Sequence, residues 1–132
     1  MRYLTDRQRA EGKGAAHTGT AHHWFMSVSA VALVILVPIF LFVFGRTLGA
    51  PQEAVIATFS NPFVAIVTAL AFIVGMRHFA RGAQMMIEDY AGGTTRHVLV
   101  LIASGISWVV MASVLYALAK FAFLDIVLGA MG

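Results

Sequence analysis

Three apolar runs of bilayer-spanning length, a charged fraction of only 11% and a mean hydropathy of +0.85 predict an all-α membrane protein with three transmembrane helices. A soluble domain carries about 25% charged residues, and a bilayer admits only helices or closed barrels because it satisfies no backbone polar group. The whole chain, residues 1–132, reads as a single membrane-anchor domain. A bundle of three helices is too small to enclose both a cofactor and a substrate pocket, so partner proteins are expected.

Residues 1–20 are polar, basic and glycine-containing, without the apolar core or cleavage site of a secretory signal. They are expected to stay in the cytoplasm, as a surface segment lying either on headgroups or on a partner. The first span runs from about Trp24 to Phe44, roughly 31 Å of helix. His22, His23 and Trp24 stand at its entrance, where an indole anchors at headgroup level. Ser27, Ser29, Ala30 and Ala32 keep its first turns slim, which favours close helix packing in lipid, and Pro38 is expected to bend it. Gly45 to Asn61 reads as a connecting loop on the far side, ended by Asn61-Pro62 as a helix start.

The second span, from about Pro62 to Ile87, differs from the others in carrying Arg77, His78, Arg81 and Gln84 within it. Ionisable groups at membrane depth mark a bundle interior or a functional site. Glu88-Asp89-Tyr90 ends the span, and Ala91-Gly92-Gly93-Thr94-Thr95 forms a tight turn. The third span runs from about Val98 to Ala119, with Gly105 and Ala112 offered as a packing face. Phe121 to Gly132 reads as a short apolar tail at the interface. Basic residues Arg2, Arg7, Arg9, Lys13 and Arg96 on one side outweigh Arg46 and Lys120 on the other. The positive-inside rule then puts the N-terminus in the cytoplasm and the C-terminus on the periplasmic side of a bacterial inner membrane. The net charge of +3 is thus a topology signal, and no aromatics interleave the N-terminal cations as a nucleic-acid surface requires.

With no cysteine, the chain holds no thiolate-bound iron–sulfur cluster, no covalent c-type haem and no disulfide. A redox cofactor here has to be held by histidine. His78 lies three turns inside the cytoplasmic end of its helix, with Gly75, Gly82 and Met85 near the same stripe. Two readings stay open: a histidine bonded to a neighbouring helix, or a haem ligand approached by a flat group across the small Gly82. A single such histidine leaves the second axial ligand to a different polypeptide or to a second copy of this chain across a two-fold axis. Arg81 either snorkels to headgroups or neutralises a haem propionate through charge-assisted hydrogen bonds. His78 and Asp89 share a face roughly 16 Å apart along the axis. Asp89 and Tyr90 are ordinary interfacial residues or, functionally, a quinone site in which the phenol donates to a carbonyl oxygen and the acid carries protons. His17, His22, His23 and His97 are read as interfacial or solvated, and Met85 and Met86 as packing residues.

His78, Gly82, Gln84 and Ile87-Glu88-Asp89-Tyr90, with His23-Trp24 and Val28-Ser29-Ala30-Val31-Ala32-Leu33 opening the first span, resemble the small hydrophobic membrane anchor of succinate dehydrogenase, respiratory complex II. The resemblance covers essentially the whole membrane part. It implies that His78 is one axial ligand of haem b, shared with the cytochrome b subunit of the same complex, and that Tyr90 contacts ubiquinone near the iron–sulfur subunit. It further implies a flavoprotein subunit that oxidises succinate, leaving this chain without catalysis of its own. Ser27 stands where the family commonly has an arginine, and Arg81 or His23 is the substitute for that charge. Two rivals are an anchor of a fumarate reductase working in the opposite direction, and a small transporter or channel component using Arg77, His78, Arg81 and Asp89 as a polar path.

Overall fold

The computed structural model describes residues 3–12 and 19–131; Arg2, Lys13 and His17, named above, lie outside the described residues. Among the described residues there are five helices and no strand. These are α1 (Asp6–Glu11), α2 (Gly19–Thr47), α3 (Gln52–Ser60), α4 (Pro62–Tyr90) and α5 (Gly93–Met131). α2, α4 and most of α5 are long and apolar enough to cross a membrane, as expected for three spans.

Local chemistry sets the helix ends. Thr5 and Gln8 form a reciprocal capping box at α1, satisfying donors that the first turn leaves bare. Asn61 Oδ1 accepts from the backbone N–H of Phe63 and Val64 at 3.0 and 3.4 Å, and Pro62 follows it in the first turn of α4. The turn after α4 is shorter than its sequence suggests. Ala91 N–H closes on Ile87 O at 2.8 Å, and Gly93, with φ of 57°, already opens α5. Thr94 and Thr95 therefore lie in the first turn of α5 rather than in a loop.

Two further expectations are corrected. The far-side connection contains a nine-residue helix, α3, whose Phe59 is buried against α5 with its ring 6.3 Å from that of Phe121. Ser60 Oγ donates to Phe121 O at 2.9 Å, so the Ser60 hydroxyl ties α3 to α5. The segment after Ala119 is not a separate tail, because α5 continues through it to Met131. Lys120 and Asp125 break the hydropathy of that stretch, yet neither is a helix breaker. At 39 residues α5 is about 58 Å long, nearly twice the ~30 Å hydrocarbon core.

The spans form a row rather than a closed bundle. α4 lies between α2 and α5, which do not meet each other among the described residues. α2 turns Met26, Ser29, Leu33, Leu36, Phe40 and Val43 away from the exposed surface, at steps alternating three and four. Val64, Thr68, Ala71, Gly75, His78 and Gly82 repeat those steps on α4. Such a 3.5-residue repeat is the seam of a left-handed helix pair. Leu33 Cδ2 would sit 3.6 Å from a Cβ at Gly75, Met26 Cε 3.7 Å from one at Gly82, and the Phe40 and Phe72 rings meet edge to face at 5.3 Å. Buried positions in the spans are mostly small: Ser29, Thr68, Ala71 and Ser107. Between helices in lipid no hydrophobic force acts, and close van der Waals approach takes its place.

Gly105 and Ala112 do not supply a packing face within this chain. Both are exposed, and a Cβ at Gly105 would meet nothing within 4 Å. The inner face of α5 is instead set by Ala103, Ser107, Val110 and Val114. Gly75→Leu is expected to wedge α2 from α4 and cost about 1–3 kcal/mol, measured as an earlier transition in a denaturing-detergent titration. Gly75→Ala, whose methyl makes only ordinary contact with Leu33, should leave the transition in place.

Candidate functional site

The polar residues of α4 divide between two faces. His78 points into the α2 seam, where its Nδ1 lies 2.7 Å from Ser29 Oγ. Ser29 is 5% exposed, so no bulk water competes for its hydroxyl. Nε2 of His78 has no protein partner among the described residues, and it is not sealed in as an orphaned buried atom. The ring is thus held through one nitrogen and open at the other. This joins the two readings of His78, since a histidine bonded to its neighbour helix keeps one nitrogen free for a ligand role.

Arg77 and Arg81 belong to the face left bare by the open row. Phe63, Ile66, Leu70, Arg77, Arg81 and Glu88 are all exposed along it. The Arg77 guanidinium lies 5.4 Å over the Trp108 ring, a cation–π contact to α5. Both arginines, with Gln84, Ser104, Ser107 and Trp108, line a cavity of about 200 Å³ between α4 and α5. Arg81 also borders a hollow with Ala21, His22 and Phe25 of α2. Ion pairs among the described residues occur only in α1, as Arg7–Glu11 and Arg9–Asp6. Neither cation of α4 has a carboxylate partner there, so both are available to an anion from outside the chain.

Gly82 faces α2, where a Cβ added to it would meet Met26 Cε at 3.7 Å, so a flat group reaching the glycine has to move Met26 aside. Tyr90 is 89% exposed at the last residue of α4, and Asp89 beside it is exposed too. Gln84 Nε2 donates to Glu88 Oε1 at 2.8 Å along the same helix end. The stripe expected from His78 to Tyr90 is continuous, because α4 runs unbroken from Pro62 to Tyr90. His78 is thereby kept roughly 16 Å from Asp89.

Three participants do not stand out in the sequence. Ser29 reads there only as a slim packing residue. His22 reads as an entrance residue, but its Nε2 lies 2.8 Å from Met85 Sδ and links the start of α2 to the end of α4. Trp108 carries no signal beyond its place in the third span. The 3.5-residue repeat through Met26, Ser29 and Leu33 is the available signal for Ser29. His23 and His97 are both exposed, and His97 Nδ1–H donates to Gly93 O in its own helix at 2.9 Å. Among the described residues no three His, Cys, Asp or Glu side chains gather as a metal cluster. Single donors such as His78 are what the chain offers.

Comparison with known proteins identifies the family. A family described as succinate dehydrogenase/fumarate reductase transmembrane subunit matches residues 1–119. A succinate dehydrogenase hydrophobic membrane anchor subunit from Paracoccus denitrificans is 50% identical over 120 residues, spanning 91% of this chain and 93% of that protein. No solved structure matches the chain at a significant level. With its three apolar helices and this match over nearly its whole length, the chain belongs to the succinate dehydrogenase/fumarate reductase transmembrane subunit family, as a hydrophobic membrane anchor of the bacterial inner membrane.

Proposed function

We propose that this membrane anchor supplies one axial ligand of haem b through His78 Nε2 and part of a ubiquinone site through Tyr90. The observation that carries the first half is the fixed imidazole: Nδ1 is engaged by Ser29 and Nε2 is unengaged at membrane depth. Haem b would supply a one-electron carrier, held in this chain by His78. In this chain His78 donates the imidazole nitrogen, and the α2–α4 seam holds its ring. Arg81 offers a guanidinium to a propionate by charge-assisted hydrogen bonds. Its lack of a carboxylate partner among the described residues supports that role. Gly82 gives the flat group room only as Met26 moves aside.

A further ligand to the haem would come from a partner, the cytochrome b subunit. The bare face of α4 and the separation of α2 from α5 support a partner that packs along the row. Ubiquinone gains two electrons and two protons on reduction. The Tyr90 phenol donates a hydrogen bond to one carbonyl oxygen, Asp89 carries a proton toward it, and the exposure of both at the end of α4 leaves them accessible to a headgroup. Electrons reach that end from the iron–sulfur subunit, which receives them from the flavoprotein that oxidises succinate. The name of the Paracoccus relative favours succinate oxidation over fumarate reduction.

In this arrangement the N-terminus and Tyr90 lie on the cytoplasmic side, where the soluble partners dock. A reporter active only in the periplasm should work when fused after Gly132 and fail when fused before Met1; the reverse pattern would invert the topology. In the purified complex, His78→Ala should remove or strongly diminish the b-type bands of the reduced-minus-oxidised spectrum. Bands of wild-type intensity and midpoint would end the ligand assignment. Tyr90→Phe is expected to lower quinone reduction about tenfold, the scale of one lost hydrogen bond, while dye reduction by the soluble partners continues. Unchanged quinone turnover would remove Tyr90 from the site.

A further inference from the structure

The hydrogen bond between Ser29 and His78 has a direction that the rest of the Ser29 environment decides. Ser29 Oγ also lies 3.1 Å from Met26 O, three residues back in α2. A carbonyl oxygen can only accept and a serine hydroxyl has one hydrogen, so both contacts form at once only when that hydrogen goes to Met26 O. Toward His78, Ser29 Oγ can then act only as an acceptor, at 2.7 Å. Nδ1 must carry the ring proton and donate it, which leaves the lone pair of the neutral ring on Nε2. The opposite arrangement, with Ser29 donating to Nδ1, would strip Met26 O of this bond and put a proton on Nε2, where it blocks coordination.

We infer that Ser29 is a positioning residue that selects the metal-binding tautomer of His78 and fixes the plane of its ring from the neighbouring helix. An acceptor on the far nitrogen of a ligating histidine orients the ring and raises the basicity of the coordinating nitrogen. Because Ser29 is buried in the α2 seam, the ring plane is tied to α2 as well as to α4. The spacing that lets this happen comes from the glycines on either side, Gly75 against Leu33 and Gly82 against Met26. A neutral hydroxyl is a mild acceptor compared with a carboxylate, so it fixes orientation without drawing the proton off Nδ1.

This inference rests on the reading of His78 as an axial ligand, and its test separates the two. The complete complex is purified carrying Ser29→Ala, Ser29→Thr or His78→Ala, with succinate-driven dye reduction on the membrane as the check that its components remain assembled. Ser29→Ala should still assemble and bind haem, but lose it to excess apomyoglobin at least about tenfold faster, the usual scale for an outer-shell partner. Its haem midpoint should move positive, because a less basic imidazole stabilises the ferric state less. Ser29→Thr, which keeps the hydroxyl, should behave as wild type in both measurements. Identical haem loss and midpoint in Ser29→Ala and wild type would overturn the inference while leaving the ligand reading intact. Release of the soluble partners by Ser29→Ala would make Ser29 a packing residue and overturn it as well. Normal b-type bands in His78→Ala would instead remove the ligand reading on which it stands.

Discussion

Hydrocarbon satisfies no polar group, and the contact between α2 and α4 is where this chain meets that constraint. A histidine at membrane depth needs a partner, and for His78 that partner, Ser29, comes from another helix. Ser29 reaches His78 only because the two helices approach closely, and they approach closely because Thr68, Ala71, Gly75 and Gly82 present so little bulk. Geometry and polarity are thus mutually dependent. Widening the seam would leave the imidazole unpaired, and removing the imidazole's partner would leave a polar atom in an apolar solvent.

Sequence reading reaches the architecture further than it reaches the partners. The number of spans, the Asn61-Pro62 start of α4 and the concentration of polar groups in the second span are all local signals, written in hydropathy and capping chemistry. α3 is too short for a hydropathy window and is flanked by Gly49, Pro51 and Pro62, so its composition resembles a loop. The continuation of α5 past Lys120 is hidden for a related reason: hydropathy reports the solvent, whereas helix propensity reports the backbone, and the two part company there. Gly105 and Ala112 show the limit for packing faces. Small residues permit close approach without saying which helix, or which chain, makes it.

The site is legible by residue type and not by pairing. His78, Arg81, Asp89 and Tyr90 stand out because each is out of place in, or at the edge of, lipid. Ser29 does not, since serines are common in such spans and nothing short of the relative rotation of α2 and α4 shows which one faces the imidazole. The same holds for His22 and Met85, 63 positions apart in the chain and 2.8 Å apart in space. Arg77 finds an aromatic ring on α5, a contact that neutralises no charge. What the chain leaves undone on that face is as informative as what it completes.

The open row carries a consequence for the life of the protein before it meets its partners. A closed bundle hides its polar residues whether or not it is assembled, but here Arg77 and Arg81 stay on an uncovered surface at membrane depth. A copy standing alone therefore presents two cations without a carboxylate partner among the described residues, Arg77 resting on the Trp108 ring and Arg81 without such a contact there. The uncovered charge of this chain is thus gathered on one side of a single helix.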